Sequence, residues 1–389
     1  MINLVPLFGP RSATGQTTAF RLFPRRGAER WMLETRFRRP WHLETWPQAN
    51  RRAKVIYRAA RLLGDLGLNL PSRRITLSIG NDSLYAQLRG RFDALGIFLG
   101  TPGPNRKVVV FARGREGAWF IKVPIGETSA ALAQTEASVL DTLAGDPNLS
   151  PLVPRCLWID EALAIEDVRA AGAIFAPLDP GEVLRVHALL FARSRSDIPL
   201  ADLVRRWTAS EAEATPHGHP GTARAIAAAR AAARSFLGSL APDTAVECYE
   251  AHGDFTRWNV LRAADGSARI IDWELFGVRP KFFDPFHYLV SQAILVDRLP
   301  APAILERAER LAEGADSLDI YSRWLYFGLY VAGQVCYYSG IYERQTEFYA
   351  QAFWQLETWT ELLEMLCARP PGDANRLGPG APKNFGNAQ

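Results

Sequence analysis

The sequence predicts an α+β fold in which a strand-rich part precedes a larger helical part. Three apolar runs, at residues 94–99, 108–112 and 118–123, are separated by Gly- or Pro-containing connections and predict successive strands. Patterns of helical period follow at residues 223–240, 304–314 and 322–366. With 389 residues, of which 48% are hydrophobic, the chain is long enough to form more than one core.

Two charged residues stand out in the strand-rich part. Lys122 lies inside the apolar strand at residues 118–123, where a charge is costly to bury without a partner. Glu136 lies within a predicted helix over residues 130–143. By themselves these positions are also compatible with a snorkelling surface lysine and a solvated helix glutamate. Two further strands are predicted at residues 153–158 and 162–168.

A polar loop and a hairpin lie between the two parts. A strand at residues 247–251 leads into the loop 252–259, and a hairpin with its turn at residues 264–267 follows. The hairpin carries Asn259 at one base and Asp272 at the other, and Asp254 lies in the loop. Carboxylate and amide oxygens suit Mg²⁺, so this arrangement predicts a metal site.

Residues 252–288 resemble the aminoglycoside phosphotransferase and choline kinase superfamily, the small-molecule branch of the bilobal protein-kinase-like fold. The resemblance rests on His252-Gly-Asp254-x4-Asn259, Ile271-Asp272-Trp-Glu274 and Asp284-Pro-Phe. It implies that Asp254 is the catalytic base, that Asn259 and Asp272 bind Mg²⁺, and that Asp284 braces the catalytic loop. It also implies that Lys122, held by Glu136, binds the ATP phosphates.

The resemblance implies an ATP- and Mg²⁺-dependent kinase that phosphorylates a hydroxyl of a small molecule: a sugar, amino sugar, amino alcohol or glycan precursor. The alternative is a catalytically inactive nucleotide-binding module that recruits an anionic partner through a basic N-terminus. The family's adenine-binding hinge corresponds to backbone atoms from Glu166 to Val168.

Two further positions leave alternatives open. Gly100 and Gly103 lie in a loop that is either a phosphate cradle or a plain hairpin turn, because its two prolines each remove a backbone donor. Arg257 stands where relatives often have proline. It either stabilises charge on the transferred phosphoryl group, faces solvent or pairs with Glu274.

The first 61 residues are strongly basic and rich in aromatics. They contain 13 Arg or Lys and three Glu, a formal charge of +10, whereas the whole chain carries +4. Such a segment predicts contact with an anionic lipid or glycan, or else an extra packing layer whose charges are solvated. Because the sequence has no zinc pattern, recognition-helix signature or RNA-binding motif, nucleic acid is an unfavoured partner. Residues 51–68 predict an amphipathic helix.

We predict a basic extension over residues 1–90, a kinase-like β-rich lobe over 91–170, a helical lobe over 171–369 and a disordered tail over 370–389. The uncharged run 324–342 meets the length of a membrane span, but its glycines, tyrosines and Gln334 favour a buried helix. Four scattered cysteines and the lack of a signal-peptide pattern predict a cytoplasmic enzyme, with peripheral membrane contact left open.

Overall fold

The computed structural model describes residues 3–10, 15–24, 29–46, 51–66, 68, 71–100, 106–208, 220–314, 318–343 and 350–368. Gly103 and the predicted tail lie outside these residues. The chain divides into two compact units. The first comprises residues 1–194, 250–278 and 344–347, and the second comprises residues 195–249, 279–343 and 348–389.

The first unit contains an eight-stranded antiparallel sheet. Its strands are β1 (Gln16–Phe23), β2 (Trp31–Glu34), β3 (Arg73–Ile79), β4 (Ala94–Phe98), β5 (Lys107–Gly114), β6 (Gly117–Pro124), β7 (Cys156–Ile159) and β8 (Ala162–Glu166). The order across the sheet is β3-β1-β2-β4-β5-β6-β8-β7. Residues 1–90, predicted to be an extension, therefore supply three strands to the same sheet as residues 94–166.

The two faces of this sheet differ because side chains alternate along each strand. On β6, Trp119, Ile121 and Val123 belong to the main hydrophobic core of the unit. Lys122 lies between them in sequence and therefore faces away from that core, opposite Val109 of β5. The apolar face of the sheet stabilises the fold, and the other face presents Lys122.

The helices of the first unit are α1 (Val5–Phe8), α2 (Arg51–Asp65), α3 (Leu84–Arg91), α4 (Glu127–Ala144) and α5 (Pro180–Ser194). Short 3₁₀ helices span Trp41–Thr45, Ser150–Leu152, Val168–Ala171 and Trp273–Leu275. The buried side of α4 includes Ala133, Glu136, Ala137, Leu140 and Leu143, at the spacing of one helix face. Glu136 therefore points inward among apolar residues.

A second sheet of the first unit carries the predicted hairpin. It consists of β9 (Ile174–Phe175), β12 (Val260–Arg262) and β13 (Ala268–Ile270), in the order β13-β12-β9. Val260 pairs with Ile270, and Arg262 pairs with Ala268. The strands and turn expected around residues 259–271 are present.

The second unit is largely helical. Its elements are β10 (Ser196–Pro199), α6 (Leu200–Thr208), α7 (Pro220–Gly238), α8 (Phe283–Gln292), a π-helical turn (Ala293–Asp297), α9 (Ala301–Glu313), α10 (Ile320–Glu343) and α11 (Ala350–Ala368). The boundary between the units falls within β11 (Ala245–Ala251) and within β14 (Gly277–Pro280). An α+β protein with an antiparallel sheet and a helical part is the predicted class, and the structure confirms it.

The uncharged run at residues 324–342 forms most of α10, which is buried as predicted. Gly328 allows close packing, since a Cβ atom there would lie 1.9 Å from Cζ of Phe236 on α7. Within the described residues, no helix has the length and apolarity required to cross a membrane.

Candidate active site

The hairpin places Asn259 and Asp272 at the same end of the second sheet. The N–H group of Ile271 donates to the carbonyl oxygen of Asn259 at 2.9 Å, which extends the β12–β13 ladder by one residue pair. Asp272 follows immediately and adopts a left-handed backbone conformation, with φ of +68°. The two predicted metal ligands are therefore brought together by local hairpin geometry.

His252 connects the loop to the strand that precedes Asp272. The N–H group of Asp254 donates to Nδ1 of His252 at 3.2 Å, and Nε2 lies 3.0 Å from the carbonyl oxygen of Ile271. Because Nδ1 accepts, these partners assign the ring proton to Nε2, which donates to Ile271. The buried imidazole thus fixes Asp254 relative to Asp272.

Gly253 is required by the fold of the loop. Its φ is +84°, and a Cβ atom at this position would lie 2.2 Å from the carbonyl oxygen of Leu275. An L-residue would therefore meet both an unfavourable backbone conformation and a steric clash with main chain. The glycine lets the loop pass directly against the segment that follows Asp272.

Asn259 orients Asp254. Its Nδ2 group donates to the carbonyl oxygen of Asp254 and to the carboxylate Oδ2, both at 2.9 Å. The amide nitrogen is therefore used within the loop, and the amide Oδ1 is the atom with which Asn259 would ligate a cation. One side chain thus links the expected base to the expected metal site.

Lys122 is the centre of a buried group of charges. Its Nζ atom lies 2.5 Å from Oε2 of Glu136, 2.6 Å from Oδ1 of Asp272 and 3.6 Å from Oε2 of Glu274. Burial alone would lower the pKa of Lys122, but these three carboxylates outweigh burial and hold the pKa well above its ordinary value. The amine is therefore a permanent cation at neutral pH.

Glu136 is fully buried and uses both of its oxygens. Oε2 contacts Lys122, and Oε1 accepts the backbone N–H of Trp273 at 3.2 Å. Burial raises the pKa of the Glu136 carboxyl, and the Lys122 ammonium offsets part of that rise. The side chain ties α4 to both the lysine and the backbone directly after Asp272.

Lys107 and Glu274 complete the group, and the sequence analysis did not predict their contact. They form an ion pair, and Nζ of Lys107 also lies 3.9 Å from Asp272. Lys107 is two residues from Val109, which faces Lys122 across the β5–β6 pair, so strand alternation puts both lysines on one face. We call Lys107, Lys122, Glu136, Asp272 and Glu274 the ionic cluster.

The carboxylates of the ionic cluster converge on a cation that the chain itself supplies. One oxygen from each of Glu136, Asp272 and Glu274 lies within 4.8 Å of the other two, and the Lys122 ammonium contacts all three. Three carboxylates against two lysines leave one formal negative charge. The Asp272 carboxylate remains 36% exposed, and burial tends to raise its pKa, but Lys122 and Lys107 lower it below the ordinary value. An ionised, accessible carboxylate on Asp272, the residue that follows the backbone pair of Asn259 and Ile271, fits the oxygen ligands that Mg²⁺ requires.

Two other predicted positions, Arg257 and Asp284, have separate surroundings. Arg257 is partly exposed, and the described residues record no ion pair between it and Glu274, which instead contacts Lys107 and Lys122. Asp284 belongs to the second unit, where its N–H group donates to the Tyr249 hydroxyl at 3.1 Å. The predicted roles of Arg257 and Asp284 remain predictions.

Gly100 has a clear structural requirement. Its φ is +76°, and a Cβ atom would lie 2.2 Å from the carbonyl oxygen of Lys107. The backbone conformation and this close approach are enough to require glycine at position 100, whether or not a ligand binds there. Whether Gly100 also contacts phosphate remains a prediction.

The predicted adenine-binding hinge, residues 166–168, lies at the end of strand β8, which pairs with β6. Glu166 pairs with Trp119 in the sheet, and its side chain makes a two-point contact with Arg155 at 2.8 and 3.0 Å. Those Arg155 hydrogen bonds lower the pKa of Glu166. Val168 begins a 3₁₀ helix and is buried. The Glu166 side chain is thus occupied, and any nucleotide contact here would come from the backbone.

No protein-family model matches the chain, and neither does any curated protein. The solved structures to which the chain is similar include two small-molecule kinases and a putative one. For choline kinase from Streptococcus pneumoniae, identity is 14%, coverage is 66% of this chain and 89% of the other, and the TM-score is 0.45. A putative aminoglycoside phosphotransferase from Ralstonia eutropha is 15% identical. The match covers 73% of this chain and 95% of the other, with a TM-score of 0.44. A macrolide 2′-phosphotransferase from Brachybacterium faecium is 17% identical. The match covers 68% of this chain and 98% of the other, with a TM-score of 0.41.

Proposed function

We propose that this chain is an ATP- and Mg²⁺-dependent phosphotransferase that moves a γ-phosphoryl group to a hydroxyl of a small molecule. The observation that carries the proposal is the buried contact of Lys122 with Glu136 and Asp272, next to a loop in which Asn259 orients Asp254. Phosphoryl transfer depends on positioned cations and an oriented acceptor rather than on a covalent intermediate.

Each residue has a role that its surroundings support. Lys122 supplies a cation held in place by Glu136, and Lys107 supplies a second one on the same face. Both ammonium groups are suited to phosphate oxygens. Asp272 and Asn259 would hold Mg²⁺, which neutralises phosphate charge when bound.

Asp254 is the proposed base. Its Oδ2 accepts a hydrogen bond from Asn259, and its backbone is held by His252, so the carboxylate has a fixed orientation. Such a carboxylate accepts or orients the proton of an acceptor hydroxyl. The acceptor class that we propose is a sugar, amino sugar, amino alcohol or glycan precursor.

The test is transfer of labelled γ-phosphate from ATP to a panel of such acceptors. Asp254→Asn keeps an oxygen that can accept from Asn259 but removes the base, so kcat should fall by about 10²–10⁴-fold while Mg·ATP binding persists. Asp160→Asn, an exposed aspartate in the β7–β8 turn, is the matched control and should retain activity. Wild-type protein that binds Mg·ATP but transfers phosphate to neither water nor acceptor would instead identify a non-catalytic nucleotide-binding module.

A further inference from the structure

Helix α2 packs against the first unit through its small and aromatic side chains. Tyr57 and Ala60 are buried against Leu43 of the 3₁₀ helix Trp41–Thr45. Gly64 lies on the same side, and a Cβ atom there would lie 2.5 Å from Cγ of Pro40. The packed face therefore contains one large side chain and otherwise depends on close backbone approach.

The opposite face of α2 presents large apolar side chains to solvent. Leu62 and Leu66 are 61% and 67% exposed, and the helical hydrogen-bond pattern continues past the helix end through the Leu66 N–H to Leu62. We call the exposed apolar residues on this face the α2 stripe: Val55, Ile56, Leu62, Leu63 and Leu66. They are five of the thirteen large apolar side chains that are exposed in the described part of the chain. A surface helix normally turns such a stripe toward the core, so this arrangement is reversed.

Basic residues accompany the α2 stripe. Arg58 is one turn from both Val55 and Leu62, and no ion pair is recorded for it within the described part of the chain. Arg61 is directed inward, where it contacts the Tyr57 hydroxyl at 2.8 Å and Glu44 at 3.3 Å. Asp65 is the single acidic residue between residues 51 and 65, whereas five are Arg or Lys. The helix is therefore apolar on its outer face and cationic beside it.

An apolar face beside basic residues favours one kind of partner for the α2 stripe over others. A second copy would bring two sets of like charges together, because residues 1–61 carry +10 in each chain. A bilayer with anionic headgroups satisfies both features, since it offers an apolar layer for leucines and negative charge for arginines. We propose that α2 lies in the surface of an anionic lipid bilayer, with the α2 stripe at the boundary between headgroups and acyl chains.

Flotation of the full chain with phosphatidylcholine vesicles, with and without phosphatidylglycerol, tests this proposal. Wild-type protein should bind the anionic vesicles and should bind less as salt concentration rises. The double variant Leu62→Gln/Leu66→Gln should bind at least about tenfold more weakly, because it removes two exposed leucines from the buried area. Arg58→Gln should weaken binding by about fivefold and reduce its salt dependence.

Two controls keep the outcome decisive. Ile320→Gln changes a side chain that is 72% exposed but lies outside α2, and it should bind as wild type does. Because the substituted side chains are exposed, thermal unfolding should be unchanged in every variant. Equal vesicle binding by wild type and the double variant would overturn the proposal. So would the absence of wild-type binding, or a sedimentation dimer that the double variant abolishes.

Discussion

The ionic cluster and the α2 stripe both reverse the usual distribution of residues, in opposite senses. The ionic cluster places charges inside, with Lys122 and Glu136 almost without exposure. The α2 stripe places leucines outside. The cluster contains its own compensation because each buried charge has a partner of opposite sign within the unit. The stripe has no such compensation among the described residues, and the partner that we propose for it is an anionic bilayer.

The largest expected loss of stability comes from removing a charge from the ionic cluster. Lys122→Met should lower the free energy of unfolding by about 3–5 kcal/mol, because the fully buried Glu136 loses its cation. Lys107→Met is the matched control, since Glu274 would keep Lys122 at 3.6 Å, and it should cost less, about 1–3 kcal/mol. Urea unfolding measures both values. Similar losses in the two variants would contradict the view that Lys122 is the centre of the cluster.

A smaller effect is expected where the loop meets the segment after Asp272. Gly253→Ala should destabilise the protein by about 3 kcal/mol, through both a positive φ and a clash with the Leu275 carbonyl. Gly266→Ala has nearly the same φ, +83°, but nothing within 4 Å of its added Cβ, and it should cost only about 1–2 kcal/mol. Thermal unfolding measures both losses in stability, and the difference between them gives the cost of the steric contact with Leu275. Equal costs would mean that the loop can move away from Leu275.

The smallest effect concerns pH. The lysines lower the pKa of Asp272, so its contribution to stability is present above the ordinary carboxyl pKa of about 3.9 and is lost as pH falls through the lowered value. Asp272→Asn should therefore reduce the acid dependence of unfolding by about 1 kcal/mol, a small value because solvent screens a side chain that is 36% exposed. Glu136 acts in the opposite direction, because burial raises its pKa, and it is present in both proteins. If the free energy of unfolding had the same pH dependence in wild type and in Asp272→Asn, Asp272 would make no ionic contribution to stability.

Local patterns in the sequence were sufficient to predict the hairpin. The strand–turn–strand spacing placed Asn259 and Asp272 at one end, and the structure pairs Val260 with Ile270 as that spacing requires. The hairpin geometry follows from short-range regularities of strands and turns. The pairing of Lys122 with Glu136 was instead an implication of the family resemblance, and the two side chains lie 2.5 Å apart.

Other features depend on tertiary packing and could not be predicted. The Lys107–Glu274 contact requires the β5–β6 register together with the position of the segment after Asp272. The period of α2 identified an amphipathic helix but not which face would pack. Close approach at Gly64 and burial of Tyr57 decide that face, and both depend on the 3₁₀ helix at Trp41–Thr45.

The most direct test of the proposed nucleotide site is thermal stabilisation by Mg·ATP. Wild-type protein and Asp160→Asn should both be stabilised by about 2.7 kcal/mol at a nucleotide concentration of 100 Kd, and only when Mg²⁺ is present. Asp160 has a φ of +56°, close to that of Asp272, so the control makes the same substitution in a similar backbone conformation. Loss of the shift in Asp272→Asn alone is the predicted result. An equal shift in Asp272→Asn, or none in the wild type, would contradict the assignment of this site to Mg·ATP.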